Sequence, residues 1–116
     1  MITRPVGQHS QSEDFVPKFN YPAANTAAVI TLAAKENLKN VIHYIQWSYS
    51  AAPTGGRLFI TFGGVTKFDV DITAAGPGGF DFYLPGIVNE AVVITLAAGG
   101  AAIVGKLNAQ ADLTAD

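Results

Sequence analysis

The side chains that could carry out chemistry are few in this 116-residue chain, and they are widely spaced. The chain has no cysteine, so disulfides, thiolate metal ligands and cysteine nucleophiles are excluded. His9 stands in a proline-containing N-terminal segment, which leaves His43 as the one histidine of the predicted domain. Glu36 and Glu90 are isolated and make a poor acid–base pair. The sequence therefore lacks the material for a catalytic triad or a multi-histidine metal site, and predicts a protein that is not an enzyme.

Three carboxylates offer the best candidate for a metal site. Asp69 and Asp71 alternate on one predicted strand and Asp81 follows on the next, so they could converge on calcium. Calcium usually takes more oxygen ligands than a flat strand pair offers, which favours a solvated face or an inter-subunit salt bridge. His43 is interpreted as a strand residue near the Trp47 face. The glycine-rich pieces TGG, FGG, GPGG and AAGG lack the spacing of a phosphate-binding loop, so they predict turns. No cofactor is expected.

Composition narrows the choice of partners. Charged residues make up 14% of the chain, against roughly 25% in an average soluble domain, and the net charge of −2 comes without a basic run. This predicts no nucleic-acid partner. The N-terminus shows no apolar signal region, and the weakly polar run at 91–105 is too short to cross a bilayer as a helix. We expect a soluble protein with no membrane partner, made in a cytoplasm, whose weakly charged surface suits coverage by another protein.

Two parts are predicted along the chain. Residues 1–22 contain three prolines and follow neither a period of 2 nor one of 3.6, which indicates an extended arm. A floppy terminus is the alternative. Docking of the arm on a neighbouring subunit is favoured, because large apolar side chains are unfavourable when exposed to water. The apolar anchors of the arm are Val6, Phe15, Phe19 and Tyr21. Residues 23–116 form the second part, a single β-sandwich domain.

Alternation with a period of 2 predicts the strands of this domain. RLFITF and TKFDVDIT alternate on either side of Gly63-Gly64, which is a strong hairpin signal. NVIHYIQWSYS is a long strand that follows KENLKN, a possible single helical turn, and AAGPGG at 74–79 is interpreted as a turn. No intervening segment is long enough for a crossover helix. The expected fold is all-β: an antiparallel β-sandwich or jelly-roll-like barrel of about seven to eight strands.

A decapeptide occurs twice. NTAAVITLAA at 25–34 and NEAVVITLAA at 89–98 are identical at eight of ten positions, at an offset of 64. Helix is the competing interpretation, but the β-branched V-I-T centre and the following glycines favour a strand. Each copy should place its Ile and Leu in one shared core: Ile30 and Leu32, Ile94 and Leu96. Internal duplication and convergence both remain open as origins.

Three runs resemble a known group of proteins. WSYSAAPTGGRLFI, FDVDITAAGPGGFDFYLPG and NEAVVITLAAGGAAIVGKLN look like small β-sandwich virion proteins encoded among the structural genes of tailed bacteriophages, over residues 24–109. The resemblance implies a capsid decoration, or cement, protein that sits on the outside of the capsid as a dimer or trimer. Its partners would be the major capsid protein and further copies of itself. No site residue comes with the resemblance.

The function expected from these features is a non-enzymatic decoration protein on the outer capsid surface of the virion. The alternative is a head-fibre or tail-associated domain that binds a receptor or a carbohydrate through exposed aromatic residues such as Phe59 and Tyr83. A glycan array and binding to purified empty capsids would separate the two functions, because sugar binding without capsid affinity favours the alternative.

Overall fold

The computed structural model describes residues 17–115, which form an all-β fold. No helix in this part of the chain could span a membrane. The eight strands are β1 (Pro17–Asn20), β2 (Ala28–Leu32), β3 (Lys39–Tyr49), β4 (Arg57–Phe62), β5 (Val65–Asp71), β6 (Gly76–Pro85), β7 (Val92–Leu96) and β8 (Gly105–Thr114).

The strands divide into two antiparallel four-stranded sheets. The first sheet has the order β1-β8-β3-β6 and the second the order β2-β7-β4-β5. Successive strands therefore pass repeatedly from one sheet to the other, which is the connectivity of an eight-stranded jelly roll. The predicted antiparallel β-sandwich with jelly-roll connections is confirmed.

The core lies between the sheets, and β2, β4, β7 and most of β8 contribute every second residue to it. In the second sheet, Ile30, Ile94 and Ile60 form one continuous row across three strands, and none is more than 5% exposed. The first sheet places the small side chains of Ala109 and Ala111 opposite this row on β8. Burial of each large aliphatic side chain contributes about 1.5–3 kcal/mol, so the alternating pattern itself drives the two sheets together.

The twin decapeptides are paired with each other. Strands β2 and β7 are antiparallel neighbours, and Ile30 lies opposite Ile94. The asparagine that opens each copy has left-handed backbone geometry, with φ of 56° at Asn25 and 70° at Asn89. The expectation that both copies contribute to the same core is confirmed.

The predicted placement of His43 near the Trp47 face is wrong. The register of β3 against both neighbours shifts at residue 43, so Ile42 and Ile45 both face the core although three positions separate them. This β-bulge reverses the alternation after it. Trp47 packs against the core, whereas His43 lies outside and contacts Asp112.

The segment predicted as a turn at 74–79 is largely a strand, because β6 begins at Gly76. Strand β6 is an edge strand. Pro77 is tolerated there, because proline lacks the backbone N–H that a central strand would donate to a neighbouring strand. A Cβ at Gly78 would lie 2.5 Å from the Trp47 ring, and one at Gly79 3.3 Å from the Tyr44 hydroxyl. These glycines therefore make room for rings on both faces of the sheet.

Of two predictions about turns, one is confirmed and the other is wrong. The Gly63-Gly64 hairpin is confirmed: both residues have positive φ, and they join β4 to β5 through a two-residue turn. The possible helical turn in KENLKN is instead a tight turn, which the Leu38 N–H closes on the Lys35 carbonyl at 3.2 Å.

Part of the predicted arm belongs to the sandwich. Residues 17–20 of the 1–22 segment form β1, which pairs with β8 at the edge of the first sheet. Phe19 and Tyr21 are thereby fixed in position, and Val6 and Phe15 lie outside the described residues.

Candidate binding surface

Two of the predicted anchor residues form an exposed pair of rings at the edge of the first sheet. Phe19 stands on β1 and Tyr21 follows the end of that strand; their ring centroids are 5.0 Å apart and their planes differ by 28°. Phe19 is 64% exposed and Tyr21 is 51% exposed. Together with Lys106 and Asn108 of β8, these rings are called the aromatic patch below.

Strand β8 holds the aromatic patch in place. The β1–β8 ladder sets Phe19 opposite Asn108, and the Tyr21 hydroxyl donates a hydrogen bond of 2.5 Å to the Asn108 side-chain carbonyl. The Lys106 ammonium lies 5.7 Å from the Tyr21 ring centroid, within the range of a cation–π interaction. The rings are therefore exposed but fixed, which lowers the conformational entropy that a partner must remove on binding.

A second group of polar and aromatic side chains lies on the outer face of the first sheet, at the bulge in β3. The His43 Nε2 atom is 3.1 Å from Asp112 Oδ1, and the His43 ring is 6.0 Å from the ring of Tyr83. Tyr83 is 65% exposed. The bulge creates this group, since regular alternation would have turned His43 inward.

Phe59 lies on the outer face of the other sheet and is covered. The Arg57 guanidinium sits 4.1 Å from the Phe59 ring centroid and forms two hydrogen bonds of 2.8 Å to the Asp69 carboxylate. These bonds raise the pKa of Arg57 and lower the pKa of Asp69. Because Phe59 and Tyr83 stand on different sheets, they cannot form one sugar platform.

The three candidate carboxylates do not converge. Asp69 and Asp71 belong to β5 in the second sheet, whereas Asp81 belongs to β6 in the first. Asp69 makes a salt bridge with Arg57 of the same chain, whereas the sequence favoured a solvated face or an inter-subunit salt bridge. Within the described part of the chain, no three His, Asp or Glu residues group closely enough to hold a metal ion.

A cleft of about 250 Å³ opens between the two sheets near β1 and β2, and no sequence pattern had indicated it. Lys18 and Lys35 give its lining positive charge, and Asp112 also lines it. The nearly buried Asn40 side chain donates to the Ala33 carbonyl at 3.0 Å beside this cleft. The cleft forms where residues distant in sequence meet at the open side of the sandwich, so only the assembled fold reveals it.

The outer face of the second sheet is weakly charged near β2 and β7. Val29 lies opposite Thr95 and Thr31 lies opposite Val93, so both copies of the decapeptide present the same pair of β-branched residues to the outside. Val29 is 39% exposed. This flat surface lacks the long charged side chains that oppose close packing by another protein.

No protein-family model matches the chain, and no curated protein matches it. Among solved structures it is similar to a ruminal GH26 endo-β-1,4-mannanase, at 12% identity and a TM-score of 0.43, over 75% of this chain and 18% of that one. It is also similar to the CBM36-1 domain of a multidomain xylanase from the hindgut metagenome of Trinervitermes trinervoides (10% identity, TM-score 0.41, 82% of this chain and 73% of that one). Carbohydrate-binding module CBM36 in complex with calcium and xylotriose gives 17% identity and a TM-score of 0.38, over 82% and 75%. These TM-scores lie below 0.5, so no function passes from these proteins to this chain.

Proposed function

We propose that the chain is a non-enzymatic structural protein of a tailed bacteriophage: a capsid decoration, or cement, protein that oligomerises on the major capsid shell and stabilises it. The aromatic patch is the observation that supports this proposal. Phe19 and Tyr21 are exposed and lie close in the chain to residues 1–16, which belong to the segment predicted from the sequence to dock on a neighbouring subunit.

The chemistry of the patch suits a protein partner. Tyrosine and phenylalanine are enriched at interface cores, where a rigid ring buries a large area at little entropic cost. Phe19 is exposed by 64%, and coverage by a partner would remove that apolar surface from water. Asn108 and Lys106 add polar groups at its rim, as interfaces commonly do.

Stabilisation of the shell would arise from repetition. Each copy makes a modest contact with the major capsid protein, and linked copies bind more tightly because the second contact forms at high effective concentration. The protein would be made in the host cytoplasm, assemble as a homodimer or homotrimer, and reach the outer capsid surface without a cofactor, a nucleic-acid partner or a membrane.

Binding to purified empty capsids that lack the protein tests this proposal. A Phe19→Ala/Tyr21→Ala variant should bind at least about 30-fold more weakly, the effect of losing an interface hot spot. Deletion of residues 1–16, which spares β1, should also weaken binding. Tyr83→Ala is the matched control, because it removes an equally exposed ring far from β1 in the sheet order. Undiminished binding by both the patch variant and the deletion would contradict the proposal.

A second candidate function is binding of a receptor glycan, and the same patch supports it. A stacked pair of rings, with an amide and an ammonium group beside it, offers an aromatic face and hydrogen-bonding groups to a sugar ring. A glycan array probed with the wild-type protein and with Tyr21→Ala tests this function, with Phe59→Ala as control. Glycan binding that requires Tyr21, without affinity for capsids, would favour this second function over the first.

A further inference from the structure

Among the described sheet edges, β2 is the one whose own residues include no charge and no proline, although the Asn20 side chain, Lys18 and Lys35 lie beside it. The two sheets have four edges, β1 and β6 in the first and β2 and β5 in the second. Edge strands usually carry charges, prolines or irregularities that prevent pairing with another chain. The other three edges contain such residues: Pro17 and Lys18 on β1, Lys67, Asp69 and Asp71 on β5, and Pro77 and Pro85 on β6. The sequence of β2 is AVITL, which contains none.

The free edge of β2 presents backbone groups suited to a further strand. The Val29 N–H points away from β7, since it approaches the Asn20 side-chain carbonyl at 3.4 Å. The N–H of Thr31, two residues further along, points in the same direction as that of Val29, because backbone N–H groups alternate between the two sides of a strand. A separation of 3.4 Å is longer than an ordinary N–H···O bond, so exchanging this contact for a ladder bond costs little.

The pairing of β2 with β7 shows that AVITL suits an antiparallel partner of nearly its own sequence. Strand β7 reads VVITL, and the ladder sets Ile30 opposite Ile94, with Val29 opposite Thr95 and Thr31 opposite Val93. In the decapeptide alignment Thr95 corresponds to Thr31. Two copies of β2 paired antiparallel at Ile30 would therefore place the same residue types opposite each other: isoleucine opposite isoleucine, and valine opposite threonine.

We propose that β2 pairs antiparallel with β2 of a second copy about a twofold axis at Ile30, which joins the two second sheets into one continuous sheet. Val29 then lies opposite Thr31 of the second copy, and the same contact recurs across the axis, as an isologous interface requires. The two N–H groups and two carbonyls on each edge satisfy each other. This inference names how copies of the proposed cement protein associate, but its evidence, the composition of the β2 edge and the β2–β7 ladder, does not depend on that function.

Introducing charges at Val29 and Thr31 tests the inference, because both side chains are exposed and Val29 of one copy lies opposite Thr31 of the other in the proposed dimer. The wild-type protein should sediment at twice its 12.1 kDa mass. Val29→Glu/Thr31→Glu and Val29→Lys/Thr31→Lys should each sediment as monomers, since like charges would oppose each other. An equimolar mixture of the two variants should recover the dimer. Val65→Glu/Thr66→Glu places the same charge on the opposite edge of the sheet and should leave the dimer unchanged.

Thr31→Pro provides a second test that adds no charge. Proline is tolerated where a strand N–H faces solvent, so the variant should keep the wild-type circular dichroism spectrum and sediment as a monomer. A wild-type monomer at concentrations up to about 1 mM, or a dimer that persists in the glutamate variant, would overturn the inference. Neither result bears on docking to the capsid through the aromatic patch, which fails separately if the patch variant and the deletion bind capsids as well as wild type does.

Discussion

Ile30 and Ile94 occupy the same position in the two decapeptides and lie directly opposite each other at the centre of the β2–β7 pair. The repeat is therefore a pair of neighbours with approximate twofold symmetry, in which each copy supplies the other's hydrogen-bonding partner. An antiparallel strand pair looks the same when it is turned end over end. Two strands of nearly the same β-branched sequence can therefore pair with each other.

The two asparagines that open the decapeptides should respond differently to glycine. Both have positive φ, which glycine adopts without strain. The Asn89 side-chain carbonyl also accepts a hydrogen bond of 2.6 Å from the Asn37 N–H. Asn89→Gly should lower the free energy of unfolding by about 1 kcal/mol, while Asn25→Gly changes it by less than about 0.5 kcal/mol. Urea denaturation of both variants checks this, and equal destabilisation would contradict it.

Tyr49→Phe should destabilise the protein by about 1–2 kcal/mol. The Tyr49 hydroxyl donates a hydrogen bond of 2.6 Å to the Ala97 carbonyl, and Tyr49 is only 2% exposed, so the substitution leaves a partly buried acceptor without that donor. Burial also raises the pKa of Tyr49. Because the folded protein holds this proton more tightly, stability should fall as the pH rises above the ordinary tyrosine value of 10.0.

Denaturation of wild type and Tyr49→Phe at several alkaline pH values measures both effects. The variant should show a weaker loss of stability with rising pH. Tyr83→Phe serves as the control, because Tyr83 is 65% exposed. A pH dependence that is the same in wild type and in Tyr49→Phe would contradict the role assigned to the Tyr49 proton.

Arg57→Gln should raise the pKa of Asp69 back towards the ordinary carboxyl range. In the wild-type protein the two hydrogen bonds from Arg57 lower this pKa. A lowered carboxyl pKa contributes stability above the unfolded value, and that contribution is lost as the pH falls through the folded value. An NMR titration of the Asp69 carboxyl carbon measures the change.

Arg57→Lys is the matched variant for this pair, since it keeps the charge but cannot form the two parallel bonds. It should leave Asp69 with an intermediate pKa. If Asp69 titrates over the same pH range in wild type and in Arg57→Gln, the two hydrogen bonds do not form in solution.

Gly78→Ala should destabilise the protein by about 1–3 kcal/mol, the usual cost of overpacking. The new Cβ would lie 2.5 Å from Cζ2 of Trp47, whose rigid ring packs against Phe80 at a centroid distance of 5.3 Å. A change in tryptophan fluorescence should accompany the loss, because Trp47 is the one tryptophan of the chain. Asp81→Ala on the same strand is the control. Wild-type stability and emission in Gly78→Ala would show that the ring has room to move.

The strands with regular alternation were predictable and the irregular ones were not. In β4 and β7 every second residue is apolar and buried, so the period of 2 identified both strands and their inward faces. The bulge at His43 could not be predicted in this way. No feature of the sequence identifies the inserted residue, and the bulge is defined only by how β3 pairs with its two neighbouring strands. Gly78 and Gly79 were mistaken for a turn for a related reason: glycine serves packing as well as turns.

The sequence by itself determined the all-β class, the Gly63-Gly64 hairpin and the inward-facing aliphatic residues of the regularly alternating strands, since these follow from local geometry and from the cost of exposing apolar surface. Apart from the β4–β5 hairpin, tertiary structure alone decided which strands became neighbours. It placed Tyr21 against Asn108, brought Arg57 over Phe59, and set the twin decapeptides side by side with β2 at a free edge. Strand pairing depends on how two sheets share one core, and that choice involves residues too far apart in the chain for any local pattern to record.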